Sequence, residues 1–182
     1  MNRILQLTKL GLKSFLSVIT FFYSRPSLIL LSLIPSSIRA FQMWSENAPI
    51  WLEAIVAMSR IFLFLLMIAL MARVSINDLL KKPFWESFSQ LCSRQFKSNW
   101  PDVFMGQLMA FIILLYGLGN GLVILLSHGF LVVIDLFTQR LTNDDALYHA
   151  FVYFLKNMSV IPLALVFVLY MCGARPHHDS DS

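Results

Sequence analysis

Apolar residues fall into long blocks separated by short polar segments, and the lengths of these blocks predict the fold. A helix needs about 20 mostly apolar residues to cross a bilayer. Four segments approach that length: residues 26–44, 54–72, 103–126 and 150–172. We therefore predict an all-α fold, a polytopic integral membrane helical bundle of about four transmembrane helices in a single membrane domain, 1–182, with a polar tail, 173–182.

Two other segments have one apolar face. In residues 2–23, leucines and isoleucines are interspersed with basic and polar residues, and the apolar stretch from Phe15 to Tyr23 is about half the length of a crossing. In residues 84–98, large apolar side chains recur at helical spacing, and a tryptophan follows them: Phe84, Phe88, Leu91, Phe96 and Trp100. Both patterns predict amphipathic helices that lie at the membrane interface.

The pair Arg25-Pro26 separates the first interfacial helix from the first span. A residue before proline disfavours helix, whereas proline itself suits a first helical turn. Trp44 and Trp51 bracket the polar connection after this span, as membrane-interface anchors commonly do. Arg25 and Arg60 are expected to snorkel to opposite interfaces, where the charged group reaches water.

The apolar stretch from Val103 to Phe137 is longer than one crossing. As one helix it would measure about 52 Å, against about 30 Å for the bilayer core. Two interpretations remain open: a span over 103–126 followed by a surface or re-entrant piece, or a hairpin of two short spans that turns at Asn120-Gly121.

The distribution of basic residues favours four spans. Placing the N-terminus, residues 73–102 and the tail in the cytoplasm puts ten of the fourteen Lys and Arg residues on that side. We therefore expect an integral protein of the bacterial inner membrane with both termini cytoplasmic. The N-terminal segment is expected to be retained, because no cleavage-site pattern follows its apolar stretch.

Composition agrees with a membrane protein. The chain is 58% hydrophobic and 13% charged, with a mean hydropathy of +0.70, whereas a soluble domain is about one quarter charged. The net charge of +4 comes from dispersed residues without a basic stripe, so no nucleic acid partner is predicted. The expected partners are membrane lipids and other membrane proteins or a second copy of the chain.

The sequence contains no spacing that indicates catalysis or a cofactor. Cys92 and Cys172 lack metal-ligand or redox-motif spacing and are interpreted as reduced packing residues. His177 and His178 stand beside two aspartates, but a terminal run does not hold four ligands at fixed geometry. No metal site, cofactor or catalytic residue is therefore predicted.

Two functions are compatible with these patterns. The leading hypothesis is a non-enzymatic assembly, scaffold or lipid-interacting component of a membrane complex, with helix packing at Gly117 and Gly121, which form a GxxxG motif. The alternative is a small transporter or channel subunit, whose polar path would comprise Asp135, Arg39, Gln107 and Asn120. Asp135 fits either hypothesis, because the four-span topology also allows it to lie at the outer surface.

Overall fold

A computed structural model describes residues 2–45, 47–138 and 144–174. All regular structure in these ranges is helical, which confirms the predicted all-α class. The α-helices are α1 (Asn2–Tyr23), α2 (Pro26–Trp44), α3 (Trp51–Ala72), α4 (Ile76–Leu79), α5 (Lys82–Asn99), α6 (Asp102–Ala110), α7 (Asn120–Thr138), α8 (Asp144–Leu155) and α9 (Ile161–Met171). Two π-helical segments, Phe111–Gly119 and Lys156–Val160, join α6 to α7 and α8 to α9.

The segment after Pro101 forms one continuous helix from Asp102 to Thr138. It neither ends near residue 126 nor turns at Asn120-Gly121, so the hairpin interpretation is wrong. The side-chain amide of Asn120 instead donates a hydrogen bond to the Tyr116 carbonyl, 2.7 Å away in the same helix. An apolar environment favours such continuity, because lipid offers no water to hydrogen-bond the backbone groups that a turn would free.

The Arg25-Pro26 pair produces a sharp bend. α1 and α2 meet there at 83°, and α2 begins at Pro26 and ends at Trp44, the predicted bounds. The Arg25 guanidinium lies 4.0 Å from the centre of the Phe21 ring of α1. α1 therefore turns away from the direction of α2.

Three helices are long and apolar enough to cross a membrane, Trp51–Ala72, Asp102–Leu136 and Asp145–Met171, or four if α1 and α2 together count as one bent span. The first and third begin earlier than the sequence predicted. Successive long helices run in opposite directions, which defines two ends of the bundle. We call the end with residues 73–102 the basic end, and the opposite end, with Trp44 and Trp51, the Trp44 end.

The best-packed core lies towards the basic end. α1 contributes Val18, Phe21 and Phe22, which pack with Met67 of α3 and Phe167 of α9. Here α1 contacts α6 and α9, whereas α2 contacts α3 and α8. α1 therefore crosses the bundle at this end, while α2 runs along it towards the Trp44 end.

Candidate functional site: a polar track between the long helices

An ion pair joins α2 to α3 near the Trp44 end. Both terminal nitrogens of Arg39 donate to the Glu53 carboxylate, at 2.5 and 2.6 Å, and the Gln42 amide donates to the same carboxylate at 3.3 Å. A planar guanidinium matches a carboxylate in this two-point geometry. Arg39 is thus paired within the chain, and Glu53, which the sequence analysis did not select, is its partner.

A second polar contact lies about halfway along the bundle. Arg60 of α3 donates from Nη2 to Oδ1 of Asn157, at 2.5 Å, and the Asn157 amide donates to the Tyr153 carbonyl at 2.8 Å. Asn157 is buried, with 3% of its surface exposed. Arg60 lies about 13 Å along the helix axis from the start of α3. The expectation that Arg60 snorkels to an interface is therefore wrong, because its side chain turns inward to the facing helix.

These contacts form one polar track along α3. Glu53 and Arg60 are seven residues apart and so lie on one face of the helix. Residues of α2 and the second π-helical segment complete the track: Arg39, Gln42 and Asn157. Two guanidinium groups and one carboxylate give the track a formal charge of +1. The buried Nε of Arg60 has no hydrogen-bond partner among the described residues.

The track is suited to holding helices together. Polar side chains between membrane helices contribute about 0.6 kcal/mol each on average, and up to about 1.7 kcal/mol. The contacts of Glu53 with Arg39 and Gln42 and the contact of Arg60 with Asn157 each join two different helices, and the only carboxylate in the track is already engaged by Arg39. The arrangement therefore resembles a structural tie more closely than a proton-transfer site.

The four residues predicted to form a polar path lie apart. Gln107 is buried at the basic end, where its amide donates to the Ser14 hydroxyl of α1 at 3.4 Å. Asn120 bonds its own helix, Asp135 is exposed near the C-terminal end of α7, and Arg39 belongs to the polar track. None of these four side chains lines the cavities of about 510, 500 and 300 Å³ in the described part of the chain.

Gly117 and Gly121 face outward. A Cβ at Gly117 would meet only the Ile112 carbonyl of its own helix, at 3.6 Å, and one at Gly121 would meet nothing within 4 Å. Within the described ranges, the GxxxG face therefore packs against no other helix. A close helix contact lies at Gly11 instead, where a Cβ would come within 2.7 Å of the Ala110 Cβ on α6.

The aromatic residues predicted for the interface fall into two groups. Phe84 and Phe88 stack with their ring centres 5.9 Å apart and pack against the core. The remaining residues are at least 40% exposed, as an interfacial position requires: Leu91, Phe96, Trp100, Trp44 and Trp51. Whether they contact a membrane interface stays a prediction.

Cys92 and Cys172 are neighbours in space, although they are far apart in sequence. Partial burial and, to a lesser extent, the nearby Cys172, with which it hydrogen-bonds, together raise the pKa of the Cys92 thiol to about 11. Both cysteines are free thiols. The pair links α5 to the end of α9, a contact that the sequence interpretation of two separate packing residues missed.

Metal ligands do not converge in the part of the chain that the structure describes, since no three His, Cys, Asp or Glu residues there could hold an ion. The histidines and aspartates of the tail, residues 177–181, lie outside the described residues.

No family model, curated protein or solved structure matches the chain. Its function must therefore be inferred from its own geometry.

Proposed function

We propose that this chain is a non-enzymatic, multi-pass protein of the bacterial inner membrane that assembles with another membrane protein. In this proposal α2, α3 and the two longer helices cross the membrane, and both termini lie in the cytoplasm. The partner contacts α7 at the Trp44 end of the bundle.

The length and exposure of the helix Asp102–Leu136 support this assembly role. The helix has 35 residues, and only 11% of its most apolar stretch is buried within the protein, against 39% of the corresponding stretch in each of the other two candidate spans. Its length of about 52 Å would require a tilt beyond the usual range of about 0–40° to fit a core of about 30 Å. Part of this apolar helix therefore extends past the hydrocarbon region.

The extending part is the C-terminal end of α7. Phe130 stacks on Phe151 with ring centres 3.9 Å apart, and both rings line a cavity of about 500 Å³ together with Trp44. Phe130 is thus level with Trp44, which is expected to mark the membrane interface. Beyond this level, Val132, Val133 and Leu136 are 61%, 50% and 76% exposed.

Exposed aliphatic side chains above the interface favour a protein partner. Lipid tails cannot cover them at that height, and transfer of apolar surface from water yields about 25 cal/mol per Å². A patch of exposed large apolar residues at one position commonly marks a protein contact. A second membrane chain that covers Val132, Val133 and Leu136 would remove this apolar surface from water.

The polar groups supply further support for a non-enzymatic role. Arg39, Glu53, Arg60 and Asn157 are engaged with one another between helices. The transporter alternative required Asp135 and three other residues to converge, and they are instead distributed along the bundle from the basic end to the Trp44 end. Transport by this chain alone therefore has less support than assembly.

Site-specific photocrosslinking in native membranes tests the assembly proposal. A photoreactive amino acid replaces Val132, and in a matched variant it replaces Leu125, which is 69% exposed on the same helix but lies at membrane depth. We expect Val132 to form a discrete protein adduct and Leu125 to form lipid adducts. The adduct mass distinguishes a second copy of this 20.9 kDa chain from another protein.

The opposite pattern would overturn the proposal. If neither position yields a protein adduct at native expression level, α7 has no protein partner at this end. If Leu125 yields the same protein adduct as efficiently as Val132, the contact is not specific to the part of the helix above the interface.

Cysteine labelling tests the orientation. In a variant without native cysteines, Ser24→Cys places a thiol next to the start of α2 and Ile50→Cys places one beyond its other end. Ile50 is 87% exposed. We expect a membrane-impermeant reagent to label Cys at 50 in intact cells and Cys at 24 only after lysis. Labelling at 24 from outside would contradict the proposed orientation.

A further inference from the structure

α1 has two distinct faces. Gly11, Ser14 and Val18 are buried against the bundle. Leu12 and Leu16 are 46% and 55% exposed. Lys9 and Lys13 are exposed on the same face as these two leucines.

A groove runs between α1 and α6. It has a volume of about 510 Å³ and almost wholly apolar walls, formed by Thr8, Leu12, Met105, Gly106, Met109, Ala110, Ile113 and Leu114. This volume falls in the range of about 300–1,000 Å³ that is usual for small-molecule sites. Gly11 allows α1 to cross α6 closely at Gly106 and Ala110, and these two residues also line the groove.

A second hollow adjoins the groove. It measures about 300 Å³ and is lined by Lys9, Leu12, Lys13, Leu16, Ser17 and Thr20. Leu12 lines both hollows, so the basic hollow lies beside the apolar groove. Lys9 and Lys13 are one helical turn apart, a spacing that brings two side chains to the same point on the surface.

We propose that this composite site binds one anionic phospholipid, with the headgroup phosphate at Lys9 and Lys13 and an acyl chain in the groove between α1 and α6. A ligand that fits this site must carry a negative charge next to an apolar chain. A soluble anion has no such apolar chain. The described residues supply no carboxylate that pairs with either lysine. The opening of the groove is also apolar, since Met105, Met109 and Ile113 are 46%, 52% and 53% exposed.

The position of the site favours the same ligand. It lies at the basic end of the bundle, which is expected to face the cytoplasm, and the cytoplasmic leaflet is rich in anionic lipid. The bend of 83° between α1 and α2 allows α1 to lie along that surface. The inference concerns α1 and α6 and does not depend on the proposed partner at α7.

Lipid titration followed by native mass spectrometry tests the proposal. The full chain in uncharged detergent is titrated with dioctanoyl phosphatidylglycerol, dioctanoyl phosphatidylcholine and inorganic phosphate. Two lysines near a membrane surface should favour the anionic lipid by about 30-fold over the zwitterionic one. The double variant Lys9→Gln with Lys13→Gln should lose most of this preference.

Two further variants separate the headgroup site from the groove. Lys82→Gln with Lys97→Gln makes the same change in net charge at the same end of the bundle, and should leave the preference unchanged. Ile113→Trp fills the groove at an exposed position, so it should weaken both lipids several-fold without changing their ratio. A thermal unfolding midpoint for each variant verifies that the fold is retained.

Three results would overturn the proposal. An equal loss of preference in the Lys82 and Lys97 variant would show general charge attraction. Unchanged lipid affinity in folded Ile113→Trp would remove the acyl chain from the groove. Phosphate binding as tight as phosphatidylglycerol would identify a site for a soluble anion instead.

Discussion

Replacing Gly11 by alanine should separate α1 from α6. The new Cβ would lie 2.7 Å from the Ala110 Cβ and 3.0 Å from the Gly106 carbonyl oxygen, whereas carbon atoms normally rest about 3.5–4.0 Å apart. Neither neighbour is the end of a flexible side chain, so the helices must move apart by about 1 Å. That movement also lengthens the 3.4 Å hydrogen bond from Gln107 to Ser14.

The expected cost is that of overpacking. Extra methyl groups in well-packed interiors typically destabilise by about 1–3 kcal/mol. Alanine also has a helix propensity about 1 kcal/mol better than glycine, which offsets part of this cost. Gly129→Ala provides the matched control, because a Cβ there meets nothing within 4 Å. The difference between the two variants isolates the collision, and should be about 1–3 kcal/mol.

Thermal unfolding in mild detergent measures this difference. For a chain of this size, 1 kcal/mol corresponds to roughly 2–4 °C, so Gly11→Ala should unfold about 2–12 °C below Gly129→Ala. Adding Ala110→Gly removes the 2.7 Å contact and should restore stability by at least about 0.5 kcal/mol relative to additive behaviour. Equal midpoints for the two alanine variants, with no coupling to Ala110, would refute the close crossing of α1 and α6.

Three other predictions concern polar and titratable groups. Asn157→Ala should destabilise the protein by about 1–3 kcal/mol in thermal unfolding, because it leaves Arg60 without its hydrogen-bond acceptor. The double variant Arg60→Met with Asn157→Leu should have a stability within about 1 kcal/mol of the native protein. A double variant less stable than Asn157→Ala would contradict the contact between Arg60 and Asn157. Since its pKa is raised to about 11, the Cys92 thiol should react with iodoacetamide at pH 8 about 100-fold more slowly than an ordinary thiol, and the reaction should accelerate as the pH rises towards 11. Peptide mapping that shows Cys92 alkylated at the rate of an ordinary thiol would contradict the raised pKa. Hydrogen bonds from Lys81 and from the backbone of Ser75 lower the pKa of Asp78. The stability that Asp78 contributes is therefore present above the usual pKa of a carboxyl group and is lost as the pH falls through the lowered pKa. An NMR titration that gives the Asp78 carboxyl a pKa at or above 3.8 would exclude these hydrogen bonds.

The positions of the helices could largely be predicted from the sequence. Apolar block length and the proline at 26 predicted both ends of α2, and the spacing of Phe84 and Phe88 predicted the apolar face of α5. Such signals are local, since they depend on which residues are neighbours along one helix. The class of the fold follows from them.

The course of the chain after Pro101 could not be predicted in the same way. Asn120-Gly121 is a turn signal because water competes for backbone hydrogen bonds in soluble proteins. Among apolar neighbours, the helical hydrogen bonds are retained through this pair, and the helix continues to Thr138. A turn signal that holds for water-exposed segments therefore does not apply to this apolar helix.

Contacts between helices were the least predictable feature. Arg60 and Asn157 are 97 positions apart, and their meeting depends on the rotation of two helices about their axes. Glu53 could have been found, since it follows Arg39 across a short connection between adjacent antiparallel helices. Gln107, placed in a polar path by the sequence, instead faces Ser14 because Gly11 brings α1 close to α6.

The mass of the protein in its native bilayer tests the assembly role most directly. The chain is extracted from its host membrane with a disc-forming polymer, without detergent, and the protein mass of each disc is measured. We predict discs whose protein content exceeds one 20.9 kDa chain, and a fall to one chain when Val132 and Leu136 are both replaced by serine. Discs of the native protein that contain a single chain and no other protein would contradict the assembly role.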